Sequence, residues 1–351
     1  MRLVPTKMIT PEMTLAKPVY YNENIILNTG INNLYSFKKR LADLGINYVY
    51  INDEKSEGII VNDIIRDETR QKSRGIIKET FSDIVLNKET NLKVIKNIIT
   101  ELIDDILNAE IIMSNLVDIK SYDSYTFEHS VNVAVLSILI AKSMDYNYNQ
   151  LLQVGIGAIL HDIGKILVPQ DLIQKSCQLT EEEFNIVKEH VHLGYDYLTD
   201  RGKINPISRL IVLSHHERND GSGYPQGLTA DAIHRYAKIT AIADVFDALT
   251  SDRIYRQRWS IRETVTYLLS NTDQFEYDIV NNFVKKVALY PNGTLVLLNN
   301  GWKAIVRSQN YGLPERPVIR VVEYETGQKI VNPPEINLLD EPELIIDNTY
   351  F

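Results

Sequence analysis

The chain has 351 residues, enough for two or three domains with a full-size core. Its formal net charge of −9 argues against a general nucleic-acid binder, so an anionic ligand would need a local cluster of cations or metals. Cys177 is the lone cysteine, which excludes an internal disulfide; with no apolar window approaching the roughly 18 residues of a membrane span, and no apolar core in the opening MRLVPTKMITPEM, a cytoplasmic protein is expected.

Residues 1–60 read as a small β-containing module in which Pro5, Pro11 and Pro18 break any early helix. Residues 18–21 and 25–27 read as short strands, the second ending in a turn at 28–30. Residues 32–44 have helical spacing through Leu34, Phe37 and Leu41, Gly45 caps them, and 47–51 form a strand. Residues 61–120 are charged, proline-free and amphipathic, with a break expected near 87–91. They serve as a helical connector or as dimerisation helices, and plain core packing explains them equally well. Residues 121–288 carry the chemistry. Residues 289–351 form a small β-rich module with strands at 294–298, 304–306 and 318–322, and the last ten or so, rich in Glu and Asp, are expected to be partly disordered.

The chemistry centres on residues 157–166, GAILHDIGKI. Leu152, Ile156, Ile159, Ile163 and Ile166 recur at three- and four-residue steps, which predicts one buried helix carrying His161 and Asp162, with Lys165 on nearly the same face as His161. A structural hydrogen-bonded pair is the plain alternative. The wider pattern favours a metal, because six of the seven histidines lie between His129 and His216. His129 opens a helix beside a buried stripe. His190 and His192 flank the apolar stripe of an expected helix over 181–198, and periodicity does not choose between them. His215 and His216 end an expected helix over 206–217 and point about 100° apart, so they could serve different metals, or a metal and a phosphate. Asp244 and Asp247 share a face of a further apolar helix; one can ligate a metal while the other accepts a hydrogen bond from a bound base or a metal-bound water.

Imidazoles and carboxylates without thiolates suit Fe, Mn or Zn rather than a structural zinc knot. The ligands exceed one tetrahedral site, and Asp162 has two oxygens with which to bridge two ions. Two ions roughly 3.5–4 Å apart clamp the oxygens of an in-line phosphoryl displacement. Lys165, Arg253 and Arg256 could hold phosphate oxygens. Between His216 and Asp244, Gly221, Gly223, Pro225 and Gly227 predict an irregular, mobile loop, either functional or an ordinary surface turn.

Taken together, His129-Ser130, HDIGKI at 161–166, HHERNDGSGYPQGL at 215–228 and ADVFDALTSDRIYR at 243–256 resemble the HD-GYP family, bacterial metal-dependent phosphodiesterases that cleave cyclic di-GMP. The resemblance covers about residues 121–285, and four ordered blocks make it specific. It implies a mainly α fold: an all-helical HD-type metal phosphohydrolase domain, flanked by a small N-terminal α+β module and a small C-terminal β-rich module. It implies metal ligands at His129, His161, Asp162, His190 (rather than His192), His215, His216 and Asp244. His161, Asp162 and Lys165 would be catalytic. Lys165, Asp247, Arg253, Arg256 and Tyr224 would contact substrate, with Gly223, Tyr224 and Pro225 as the GYP signature.

Family members with three metals carry a glutamate four residues before the first histidine; Tyr125 stands there, so two divalent ions are expected, Fe or Mn first and Zn, Ni or Mg next. Arg253-Ile254-Tyr255-Arg256 departs from the usual Arg-Pro-Tyr-Arg but keeps both charges. The implied activity is hydrolysis of cyclic di-GMP to linear pGpG and on to GMP. The alternatives are a phosphodiesterase for cyclic GMP-AMP or another nucleotide, and a non-catalytic dinucleotide receptor. Cyclic di-GMP would be the partner, with a homodimer through 61–120 and a protein docking at the GYP loop as further candidates, and with no polymeric nucleic acid and no membrane.

Overall fold

Prolines at positions 5, 11 and 18 keep the first segment out of α-helix, and apart from a 3-10 turn at Thr6–Met8 it pairs as strands. The computed structural model describes the chain apart from residues 22–23, 87, 89–90, 110–124, 176, 201–203, 252–257, 326–329, 331 and 350–351. Among the described residues two units separate, one containing Met1–Ile64 and Lys285–Phe351, the other Ile65–Ala109 and Thr126–Val284.

The first unit begins with β1 (Arg2–Pro5), β2 (Thr14–Leu15), β3 (Val19–Tyr21), β4 (Asn24–Leu27), α1 (Lys38–Asp43) and β5 (Tyr48–Asn52). β5 lies between β1 and β2 in an antiparallel sheet, while β3 and β4 form a hairpin. Leu15, Leu34, Leu41, Val49 and Ile51 fill the core beneath them. Gly45 takes φ 72° and its N–H bonds to Ala42 O at 2.9 Å, ending α1 as its position implied. β1 escapes a periodicity reading because all four of its residues are buried, so it shows no alternation.

The same unit closes with β6 (Leu295–Leu298), β7 (Lys303–Ser308), β8 (Val318–Glu323), β9 (Glu335–Asn337) and β10 (Ile346–Thr349), in the antiparallel order β10-β6-β7-β8-β9. Of the last ten residues, where partial disorder was expected, Ile346–Thr349 are ordered as β10, while 350–351 lie outside the described residues. Ile346 is buried and pairs with Leu298, so an apolar anchor holds an otherwise acidic segment in the sheet. Ile59 packs with Ile305 and Val322, which joins the two ends of the chain in one core.

The second unit is built from helices: α2 (Asp67–Val85), α3 (Leu92–Asn108), α4 (Tyr125–Ser143), α5 (Tyr148–Ile159), α6 (Gln170–Ile173), α7 (Glu181–Lys188), α8 (His190–Asp200), α9 (Pro206–Ser214), α10 (Arg235–Thr250), α11 (Ile261–Ser270) and α12 (Tyr277–Val284). α2 and α3 bracket the expected break. Ile95, Ile98, Ile99, Leu102, Ile103 and Ile106 of α3 are all buried, at roughly 1.5–3 kcal/mol of hydrophobic stabilisation per side chain. This stripe is covered within its own unit, so core packing accounts for it without a second copy. Among the described residues no helix is long and apolar enough to cross a membrane.

Candidate metal centre

Helix ends position three of the histidines, His161, His190 and His215. α5 starts on a capping box, Asn147 accepting from Gln150 N while Gln150 accepts from Asn147 N. It stops at Ile159, so His161 and Asp162 sit in a turn rather than in the expected continuous helix. The apolar spacing runs on because residues Ile163–Ile166 form a 3-10 turn, which keeps positions three apart on one side. Likewise the expected helix over 181–198 is two, α7 and α8, broken at Glu189, and the expected helix over 206–217 ends at Ser214.

At each of these three ends a histidine turns back on the helix before it. His161 Nδ1 lies 2.7 Å from Ala158 O, His190 Nδ1 2.8 Å from Val187 O, and His215 Nδ1 3.1 Å from Val212 O. The last carbonyls of a helix lack partners within it, and a carbonyl oxygen can only accept. Nδ1 therefore carries a proton in each ring, which leaves Nε2 as the atom able to offer a lone pair to a cation.

These three Nε2 atoms are buried without a hydrogen-bond partner, as is Asp162 Oδ1. Orphaned buried polar atoms are costly unless something binds them, and an imidazole lone pair beside a carboxylate oxygen suits a divalent cation. Asp162 Oδ1 is 3.4 Å from His190 Nε2 and 3.8 Å from His215 Nε2. Its Oδ2 is 3.3 Å from His161 Nε2 and 3.7 Å from His129 Nε2. Two groups of converging ligand atoms result, Asp162 with His190, His215 and His216, and Asp162 with His129 and His161. The residues present thus fit a metal, and Asp162 belongs to both groups. His215 and His216, rings 4.0 Å apart, fall in one group and are not divided between two. His192 is half-buried and falls in neither, whereas His190 is buried in the first.

Asp244 on α10 completes the cluster, its Oδ1 3.2 Å from His129 Nε2 and its Oδ2 3.9 Å from His216 Nδ1. Asp247, one turn on, receives His129 Nδ1 at 2.7 Å on Oδ2 and the Asn132 amide at 3.0 Å on Oδ1. Burial opposes a charged His129, but the carboxylates of Asp244 and Asp247 outweigh it and raise the pKa to about 9. A divalent cation among these atoms would take the place of the Nε2 proton. Burial holds His215 and His216 well below the usual imidazole range, against the opposing pull of Asp162 on both and of Asp244 on His216, so both stay neutral. Burial would raise the Asp162 carboxyl, but the neighbouring His161 imidazole and the Lys165 ammonium hold it well below the carboxylate range. Lys165 Nζ donates to Asp162 Oδ2 at 2.6 Å, so its ammonium stands at the shared ligand.

The loop after His216 is irregular in backbone, as expected, and is braced by side-chain contacts. Buried Glu217 accepts from Gln226 N at 2.8 Å and from Leu228 N at 2.9 Å, one bond per carboxylate oxygen. Gly223 has no room for a side chain, since a Cβ would stand 2.5 Å from His216 O. Tyr224 stacks on His216 with ring centroids 4.5 Å apart. The structure thus gathers His129, His161, Asp162, Lys165, His190, His215, His216, Tyr224, Asp244 and Asp247; Arg253 and Arg256 lie outside the described residues.

Sequence reasoning missed Asn132 and Glu217 as site residues. Asn132 had a usable signal: it stands three residues after His129 on an apolar helix, as Asp247 stands after Asp244.

Residues 108–279 match the family model described as HD domain, and residues 295–350 match that of a KOW domain associated with HD domain. Fold and ligands together define an HD-domain protein with a histidine–aspartate metal centre. The chain is 32% identical over 239 residues to a cyclic di-GMP phosphodiesterase of Pseudomonas aeruginosa, covering 68% of this chain and 58% of that protein. It is 41% identical over 131 residues to the cyclic di-GMP phosphodiesterase response regulator RpfG of Xanthomonas campestris pv. campestris, covering 37% and 35%. It is 36% identical over 172 residues to 3'3'-cGAMP-specific phosphodiesterase 1 of Vibrio cholerae, covering 47% and 38%. The chain belongs to the HD-GYP family. It spans less than two thirds of the length of each of these three relatives.

Proposed function

We propose that this chain is a metal-dependent phosphodiesterase that hydrolyses cyclic di-GMP to linear pGpG and then to GMP. The observation that carries the reading is Asp162, which faces one ligand group with each of its two oxygens. Asp162, His190, His215 and His216 would hold one divalent ion; Asp162, His129 and His161 the other, with Asp244 beside them. Fe or Mn suits this donor set first, with Zn, Ni and Mg as further candidates. When bound, paired cations supply Lewis acidity and a nucleophile at neutral pH.

The chain's own residues do the rest. Backbone carbonyls at three helix ends fix the histidine rings, and Asp247 fixes that of His129. Lys165 places an ammonium beside the reacting phosphate and, with Arg253 and Arg256, offsets its charge. Tyr224, held over His216, offers an aromatic face at the edge of the centre. In hydrolysis the oxygen of water bonds to phosphorus, the ribose oxygen–phosphorus bond breaks, and the departing oxygen takes up a proton. The exposed Cys177 fits a reducing compartment, and we take the cytoplasm as the place of action.

A second reading, hydrolysis of cyclic GMP-AMP, is favoured by the similarity to the Vibrio cholerae protein named for that substrate. One experiment separates the two. The full chain is loaded anaerobically with Fe(II) or Mn(II), incubated with each cyclic dinucleotide, and its products are resolved by chromatography. Formation of pGpG and then GMP is expected. Faster cleavage of cyclic GMP-AMP would favour the second reading, and binding of both without turnover would leave a receptor.

A further inference from the structure

A line of polar contacts leaves the metal centre and ends on a helix outside the matched HD domain. His129 Nδ1 donates to Asp247 Oδ2 at 2.7 Å, and the other oxygen of Asp247 accepts from Asn132 Nδ2 at 3.0 Å. The remaining end of that amide, Asn132 Oδ1, accepts from Arg70 Nη1 at 3.1 Å. Arg70 belongs to α2 (Asp67–Val85), which precedes the matched residues 108–279 yet lies in the same unit as α4 and α10.

The direction of each bond is fixed by chemistry. A carboxylate only accepts and a guanidinium only donates, so the Asn132 amide must turn its NH2 to Asp247 and its oxygen to Arg70. With Arg70 in place the amide has one orientation. Without it, Asp247 still holds the NH2 end, but the buried Asn132 Oδ1 loses this donor and the amide is tied at one end only. Asn132 and Asp247 are both buried, so water does not readily replace a lost partner. A carboxylate behind an imidazole sets the ring's orientation and its strength as a ligand.

We propose that Arg70 is a positioning residue that acts on His129 through Asn132 and Asp247, so that the placement of α2 sets metal affinity at the group containing His129. This rests on the metal centre described under the proposed function, and it adds a regulatory input that would reach only one of the two groups. His190, His215 and His216 are oriented by backbone carbonyls or by ring packing, with no part in the line from Arg70.

The test is an equilibrium titration of the metal-stripped full chain with Mn(II), followed by calorimetry. The unsubstituted chain is expected to show two binding steps. Arg70→Ala should weaken one step by about tenfold and leave the other within about twofold, as expected for loss of a residue that orients a ligand. Asn132→Ala should weaken the same step, and the double variant should lose no more than Asn132→Ala alone, because both act along one line. Arg70→Lys, which keeps a donor, should recover part of the loss. The unaffected step reports that the protein is folded. Two unchanged steps in Arg70→Ala, equal weakening of both, or additive losses in the double variant would overturn the proposal. Two intact steps in the unsubstituted chain without cyclic dinucleotide turnover would refute the hydrolase reading alone, whereas no binding step at all would refute both.

Discussion

A Cβ placed on Gly164 would stand 1.9 Å from the backbone carbonyl oxygen of His190 and 2.6 Å from Gly194 N. The turn that follows the His161-Asp162 pair therefore presses directly on the start of α8, and this contact brings His190 against Asp162. Backbone atoms cannot swing aside as a side-chain end can. Gly164→Ala should destabilise the protein by about 3 kcal/mol, measured by urea denaturation, and lower its metal content. Stability within about 0.5 kcal/mol of the parent chain would show that the contact is slack.

Glu217 holds the GYP loop through two backbone N–H groups, one on each carboxylate oxygen. Glutamine has the same shape but can offer only one acceptor, so in Glu217→Gln an NH2 would face an N–H in a buried place. The expected loss is roughly 1–3 kcal/mol. A lower melting temperature, together with a raised KM as Tyr224 loses its seat on His216, would bear this out; an unchanged melting temperature would not.

Lys165 Nζ touches Asp162 from outside the ligand groups. Lys165→Met keeps the length of the side chain and removes the charge. We expect kcat/KM to fall by about a hundredfold, about 2.7 kcal/mol, with metal content unchanged. A matching fall in bound metal would instead make Lys165 a support of the ligand.

The first unit has its own acid-sensitive tie. Arg2 donates twice to Asp53 Oδ2, from Nε at 2.9 Å and from Nη2 at 2.7 Å. Burial alone would raise the Asp53 carboxyl, but Arg2 and Ser56 outweigh it and hold it below its usual value. A carboxyl depressed on folding stabilises above its unfolded pKa of about 3.9, and that contribution fades as pH falls through the lower folded value. Denaturation midpoints should therefore drop below about pH 4 more steeply in the parent chain than in Arg2→Met. Parallel pH curves would contradict the assignment.

The residue types at the centre were legible in the sequence because ligand chemistry is a property of side chains. Where their helices ended was not. Ile156, Ile159, Ile163 and Ile166 keep one spacing through both α5 and the turn after it, so the stop at Ile159 leaves no mark on periodicity. Val187 and Val191 likewise carry the pattern across the break at Glu189. The tight capping of the helix ends by His161, His190 and His215 depends on carbonyl positions that only the folded backbone provides. Asp247 was placed correctly beside Asp244, but its partner lies 118 positions away on α4, beyond any local pattern.

The central claim is that one carboxylate, Asp162, joins two metal positions. The most direct measurement is anomalous X-ray scattering from crystals of the Mn(II)-loaded chain. Two peaks are predicted, each at bonding distance from a different oxygen of Asp162, one beside His190 and His215 and the other beside His129 and His161. A single peak, or two peaks of which only one touches Asp162, would contradict it.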